Sequence, residues 1–457
     1  MQIQPHIGTA LTPNATKVLL LGGGELGKGL VLSMQKLGLE IHAVDRYEGS
    51  PAQQVAHFSY LADVTNDDEV WELAQRIKPD FVVPEVEVVA VNALRRLEEE
   101  TDAMVVPSAR ACELTQDRES IRGVAESIGL PATAYRFATS TEELREAAEE
   151  LGLPCIVKPD VATSGKGHMV VREEADLDSA WKKVHRVSSD SNRVVVERFV
   201  DFDYEVTLLA VRSVDPETGK LATWFSEPIG HRHKNGDLIE SWQPMAMSEI
   251  ALENARSVAA RISNELGGRG VYGVELFVAG EEVFFSSVSP RPSDTAVLTS
   301  YTQRFSEFDL HARAILGYPI DVTMTSPGAA FILHAEEDAK EVAYSGVEDA
   351  MALSETDVQL FGKPGAYKGR RMGFVAVTAD NADEARDRAT LAASRIKVGL
   401  VPAADDEPTS VYNEPVKEED VVSLDYVDEV EEDVVFVDPA LDGSVDDITA
   451  DNSSERS

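Results

Sequence analysis

From Lys17 the chain reads VLLLGGGELGKGLVLSMQKLGLEIHAVDRY: a buried apolar strand, a glycine turn, apolar positions at helical spacing, and a second strand ending at Asp45. Apolar runs flanking an amphipathic helix predict a βαβ unit with buried parallel strands. HFSYLAD around Tyr60 and DFVVPE ending at Glu85 add two strands, with the helix DEVWELAQRI between them. Residues 1–117 are therefore expected to form an α/β, Rossmann-like, doubly wound parallel sheet.

Beyond that point the pattern changes to strands separated by turns: PCIVKPDVATSGKGHMVV, RVVVERFVDFDYEVTLLAV, GVYGVELFV and EVFFSSVSP, with a helix near Asp117–Ile128 and another at TEELREAAEEL. Residues 118–325 read as an α+β domain with antiparallel sheet. Residues 326–402, with AAFILHA, MGFVAVTA and the helix ADEARDRATLAASRI, suffice for a small C-terminal capping domain. Residues 403–457 read as a disordered acidic tail, although its segment DVVFVD is a strand candidate.

Charge narrows the functional classes. The 457 residues hold 42 Lys and Arg against 81 Asp and Glu, a formal charge of −39, which makes nucleic acid an unlikely partner. From Ala404 onward there are 19 acids against Lys417 and Arg456, so −22 remains on the rest, and only 15 of the 42 basic residues are Lys. Acid spread along the chain predicts a hydrated carboxylate shell suited to high salt, a halophilic surface. No run of about 18 apolar residues and no signal-peptide pattern is present, so no membrane contact and a cytoplasmic location are expected. Cys112 and Cys155 are too few for a disulfide framework and are expected to be buried and inert.

Gly22, Gly24 and Gly27 form GxGxxG between strand and helix, with Asp45 about 20 residues on, the pattern of a dinucleotide site. Glu25 inside the loop opposes a pyrophosphate and better suits an amine or hydroxyl, so another small ligand is expected. A second loop, Thr163, Ser164, Gly165, Lys166, Gly167 and His168, follows a strand ending near Lys158. Two lysines, one on a strand and one in a glycine loop, can grip a polyphosphate from two sides. Glu197, Arg198, Phe199 and Val200 close the next strand, suited to an adenine edge, and Glu205 suits ribose hydroxyls. His231-Arg232-His233, without further ligands in sequence, reads as a strand or loop feature, and Trp242 as packing.

With GTAL, LLGGGELGK, AVDRY, VVPE, SGKG, SWQP, GVELFV, VSPRP, LFGKP and Arg370-Arg371, the chain from about Gly8 to about Lys397 resembles the ATP-grasp superfamily and, within it, the formate-dependent phosphoribosylglycinamide formyltransferases of purine synthesis. The resemblance implies that ATP phosphorylates formate to formyl phosphate, which the amine of glycinamide ribonucleotide then attacks. It implies a substrate-binding domain over 1–117, an ATP-grasp domain over 118–325, and a homodimer. ATP would be held by Arg118, Lys158, the Thr163–His168 loop, Glu197 to Val200 and Glu205. Glycinamide ribonucleotide would be held by Glu25, Leu26, Glu85, Asp294, Lys363, Arg370 and Arg371, and Mg2+ by Glu275. No residue is assigned as a catalytic acid, base or nucleophile.

The chain departs from that pattern where similar enzymes carry a second metal-binding Glu: Ser287 stands there, and Ser293 and Ala296 replace the usual His and Gly. Losing a carboxylate beside a triphosphate is expected to weaken metal binding and slow turnover unless another acid substitutes. Asp294 is the nearest acid after that strand. The departure keeps two alternatives open: a paralogous ATP-grasp ligase for another carboxylate and amine, and a weakly catalytic nucleotide-binding regulator.

Overall fold

The computed structural model describes residues 3–160, 167–187, 193–234 and 236–399. Thr163, Ser164, Gly165, Lys166 and the tail with DVVFVD lie outside them.

The first five strands are β1 (Lys17–Leu21), β2 (Glu40–Asp45), β3 (Phe58–Leu61), β4 (Phe81–Pro84) and β5 (Met104–Val105). They form one sheet in the order β3-β2-β1-β4-β5, and all its pairings are parallel. Alternation along β1 explains why its apolar run is unbroken. Val18 and Leu20 pack into one core with Leu30 and Met34 of the helix Glu25–Lys36, while Leu19 and Leu21 pack into another with Val70, Leu73 and Leu94.

Four short strands follow: β6 (Tyr135–Ala138), β7 (Cys155–Pro159), β8 (Met169–Val171) and β9 (Val194–Arg198), ordered β6-β9-β7-β8 and antiparallel throughout. The chain continues through β10 (Tyr204–Val214), β11 (Leu221–Phe225), β12 (Ile229–Lys234), β13 (Asp237–Gln243), β14 (Gly270–Ala279), β15 (Glu282–Ser289), β16 (Gly328–His334), β17 (Ala343–Ser345), β18 (Thr356–Leu360), β19 (Arg371–Thr378) and β20 (Lys397–Gly399). Strands β17 and β20 pair with each other. The others form a nine-stranded sheet, β15-β14-β10-β12-β13-β16-β19-β18, with β11 on the flank of β10. The C-terminal segment thus extends the central sheet through the β13–β16 pairing instead of forming a layer of its own.

One buried cluster spans the expected boundaries, joining Leu20 and Leu30 to Leu209, Val271, Phe308 and Phe374. The helices Glu25–Lys36 and Glu307–Leu316 meet at Gly29, where an added Cβ would lie 2.8 Å from the Phe308 ring. A side chain there requires the Phe308 ring or the helix to shift, since such an approach is well inside van der Waals contact. No helix among the described residues is long and apolar enough to cross a membrane.

Candidate functional site

The glycine turn after β1 is tied down internally. Gly22 adopts φ 115°, a left-handed conformation that favours glycine, and Gly23 N–H donates to Asp45 Oδ2 at 3.0 Å. Asp45, the acid a dinucleotide reading needs for ribose, therefore closes its own turn. Glu25 opens the following helix, and its Oε1 accepts from Lys363 Nζ at 2.8 Å and lies 3.8 Å from Arg371 Nε.

A cleft of about 650 Å3 is lined by Leu26, Arg118, Lys158, His168, Phe199, Glu205, Glu275, Asp294 and Arg371 among others. One wall is cationic. Lys158 Nζ donates to Glu197 Oε2 at 2.6 Å, and Arg122 donates to the other oxygen of the same carboxylate. Burial alone would raise the Glu197 pKa, but Lys158 and Arg122 overcome it and bring it to about 2. Arg118 Nε donates to the Pro159 carbonyl at 3.0 Å, and its Nη2 lies 3.3 Å from His168 Nε2. Because guanidinium only donates, that His168 nitrogen accepts. Burial, then Lys158 and Arg118, push the His168 pKa well below its ordinary value, so the imidazole is neutral. Arg118, Arg122 and Lys158 thus converge on Glu197, with Glu87 and Glu275 also acting on Arg118.

The opposite side mixes charges. Arg371 pairs with Asp294, and Lys363 is almost wholly buried beside Glu25. Arg370 donates to the Gly365 carbonyl and, at 3.5 Å, to Tyr47 Oη. Glu85 is buried, and its Oε1 has no hydrogen-bond partner. Burial raises the Glu85 pKa well above its ordinary value, with Arg291 opposing and Glu25 and Asp294 reinforcing the rise.

Between these walls Glu275 on β14 faces Ser287 on β15 as a cross-strand pair, and Ser287 Oγ donates to Glu275 Oε2 at 2.8 Å. Glu205 lies on β10 next to β14 and pairs with His231 on β12. Of the strand-end group, Phe199 lines the cleft, whereas Arg198 is exposed and donates to the Leu151 carbonyl at 3.2 Å. Gly167, at φ 83°, is buried, and Val200 is partly buried without being among the lining residues.

The sequence matches three families in succession: the ribonucleotide synthetase preATP-grasp domain over residues 15–116, the ATP-grasp domain over 123–308, and PurT, C-terminal, over 328–396. It is 58% identical over 400 residues to the formate-dependent phosphoribosylglycinamide formyltransferase of Corynebacterium efficiens, covering 87% of this chain and all of that one. The chain belongs to the formate-dependent phosphoribosylglycinamide formyltransferases. A Burkholderia pseudomallei formyltransferase of the same name is 48% identical over 399 residues, covering 87% and 99% of the two chains. Among solved structures, glycinamide-RNase-transformylase T from Mycobacterium tuberculosis aligns with a TM-score of 0.70 and 38% identity over 83% of this chain and all of that one. The ADP complex of an N5-carboxyaminoimidazole ribonucleotide synthetase aligns at 0.73 and 27%, covering 85% and 98%.

In this formyltransferase several site residues escape a reading of the sequence. Arg122 follows Arg118 by one helical turn on the helix Arg118–Ser127, a spacing that places both on one face and was the available signal. Lys183 lines the cleft and donates to the His168 carbonyl at 2.7 Å, but lies on a distant helix. Glu307 is fully buried and accepts Ser293 N–H at 2.8 Å, holding the segment that carries Asp294.

Proposed function

We propose that the cleft performs ATP-dependent formylation of glycinamide ribonucleotide with formate, the reaction of this family in purine biosynthesis, through a formyl phosphate intermediate. The observation that carries this reading is the cationic wall of Arg118 and Lys158, backed by Arg122 through Glu197, sharing a cleft with Glu275, Asp294 and Arg371. Lys158, Arg118, His168 and the Thr163–Gly167 loop hold the triphosphate. Glu197 orients Lys158, while Phe199, the backbone of Arg198 and Val200, and Glu205 take the adenosine. Such fixed charges act in a partly dry site, where they stabilise charge more strongly than water does.

Arg370, Arg371 and Lys363 hold the ribose phosphate of the acceptor, and Glu25, Leu26, Glu85 and Asp294 its glycinamide end. Guanidinium forks match phosphate oxygens, and carboxylates match an amine.

The donor set beside the triphosphate is one carboxylate, Glu275, and the Ser287 hydroxyl, all hard oxygen, which fits Mg2+ completed by water and phosphate oxygens. Mg2+ held there would neutralise phosphate charge. The domains are 1–117 for the acceptor, 118–325 for ATP and 326–402 as the C-terminal unit, with 403–457 an acidic tail. The protein works as a homodimer in a salt-rich cytoplasm.

The test is ADP release in high salt with Mg2+, ATP and formate, with and without glycinamide ribonucleotide. Turnover that needs both formate and the ribonucleotide is expected. Equal ADP release without the ribonucleotide, or turnover only with a different carboxylate and amine, would point to the paralogous ligase.

A further inference from the structure

The pair His231 and His233 has no third ligand nearby in sequence, but the sheet supplies one. Strand β12 runs antiparallel to β10 with His231 opposite Glu205. Residues two apart on a strand share a face, and the irregular register at Arg232/His233 does not separate these two, whose ring centroids are 5.1 Å apart at 83°. His233 Nδ1 lies 2.9 Å and His231 Nδ1 3.4 Å from Glu205 Oε2. One ligand atom from each of the three side chains lies within 4.8 Å of the others.

The second observation concerns His231 itself. Its side chain is 2% exposed, yet neither ring nitrogen has a hydrogen-bond partner. A buried imidazole with both nitrogens unfilled carries a desolvation cost that native interiors rarely leave unmet. A water would satisfy one ring nitrogen, whereas a cation held between His231 and Glu205 would also engage a carboxylate already shared with a second histidine. Metal–ligand distances of about 2.0–2.2 Å in a tetrahedral site place neighbouring ligand atoms roughly 3.3–3.5 Å apart, which the His231–Glu205 separation matches, while the 2.9 Å His233–Glu205 contact would open slightly.

We propose that Glu205, His231 and His233 form a binding site for a divalent transition-metal cation of the Zn2+ class, separate from the all-oxygen donor set at Glu275. Two imidazoles and one carboxylate favour Zn2+, Co2+ or Ni2+ over Mg2+, which demands oxygen ligands. Three protein ligands leave a position open to the cleft, which all three residues line. Neutral imidazoles donate their lone pairs to the ion, and Glu205 supplies the charge. Where Glu205 also takes ribose hydroxyls, the cation competes with the nucleotide. That second consequence rests on the ribose assignment; the metal site does not.

The experiment is equilibrium dialysis of the chelator-washed full-length protein against Zn2+, with Mg2+ in excess as competitor, alongside Co2+ absorption spectroscopy. One Zn2+ per chain that His233→Gln weakens at least tenfold, with a matching loss of the Co2+ d–d bands, is expected. Glu205→Gln should act likewise, and both variants are checked for an unchanged fold by circular dichroism. Absence of Zn2+ binding to the wild type overturns the site, as does wild-type affinity in both variants, which would place the ion elsewhere on the acidic surface. Adenosine, which has no phosphate to chelate metal, should weaken Zn2+ binding. If it does not while the variants still lose the ion, competition and the ribose role of Glu205 are overturned and the metal site stands.

Discussion

Lys158 Nζ lies 2.6 Å from Glu197 Oε2, with both side chains almost wholly out of solvent. Because Arg122 holds the other oxygen of Glu197, the carboxylate is not stranded when Lys158 is lost. Lys158→Met should therefore fold but lose ATP turnover by about 100-fold or more, as expected where positioning and fixed charge dominate phosphoryl transfer. Steady-state ADP release checks this, and near-normal rates would show that the triphosphate sits elsewhere.

Arg371 pairs with Asp294 and reaches toward Glu25 from the strand opposite the nucleotide wall. Arg371→Ala should raise the KM for glycinamide ribonucleotide by roughly 10- to 100-fold, the equivalent of one charge-assisted contact of about 1.5–3 kcal/mol. ATP binding should stay within about twofold. Titrating each ligand against the variant separates the two, and equal weakening of ATP would contradict the division of the cleft.

The Ser287 hydroxyl donates to Glu275, and Asp294, the first acid after that strand, is engaged by Arg371. With no second carboxylate contributed at that strand pair, Ser287→Glu should tighten Mg2+ binding and raise turnover with formate. A Mg2+ titration of both proteins at fixed ATP reads the effect. A weaker metal response in the variant would mean that another acid already serves.

Glu307 is buried with Oε1 unpartnered, and its pKa stands well above the ordinary 4.5, driven first by burial, with Ser293 N–H opposing and Asp294 and Glu85 adding to it. A raised carboxyl pKa means that the folded state holds the proton more tightly than the unfolded chain. Its contribution is complete below pH 4.5 and fades as pH rises toward the folded-state value, by at most about 1.4 kcal/mol per pH unit. Glu307→Gln keeps an oxygen for Ser293 N–H and removes the titration. Urea unfolding from pH 5 upward should show a shallower decline for the variant; an identical slope would sink the idea.

How much of this the sequence disclosed depends on how far apart the partners lie. The parallel N-terminal sheet was legible because β1 carries the apolar run VLLL and is separated from the strand-like β2 by a glycine turn and one amphipathic helix. Lys158 was legible because a lysine closing the apolar strand CIVKP before a glycine loop has few structural reasons to be there. Glu307 was not, since the stretch SEFD reads as an ordinary helix start, and Ser306 and Asp309 do form a capping box. Asp45 fits a ribose acid in sequence, and only the fold shows it bonded to Gly23. The grouping of Glu205 with His231 and His233 depends on strand register across some 25 residues, which periodicity does not encode.

Glu275 and Arg371 stand on one hydrogen-bonded ladder, six strands from β14 to β19 with no break. The spacing between Glu275 and Arg371 is therefore graduated like a ruler, in strand widths of about 4.8 Å. A ruler of this kind can be re-marked at one end: grafting another enzyme's β16–β19 segment onto this chain replaces what Lys363, Arg370 and Arg371 contribute, while Glu25, Leu26, Glu85 and Asp294 stay with the rest of the chain. The condition is that the splice keeps Gln243 opposite Gly328, because a one-residue slip there would turn every side chain of the graft to the wrong face.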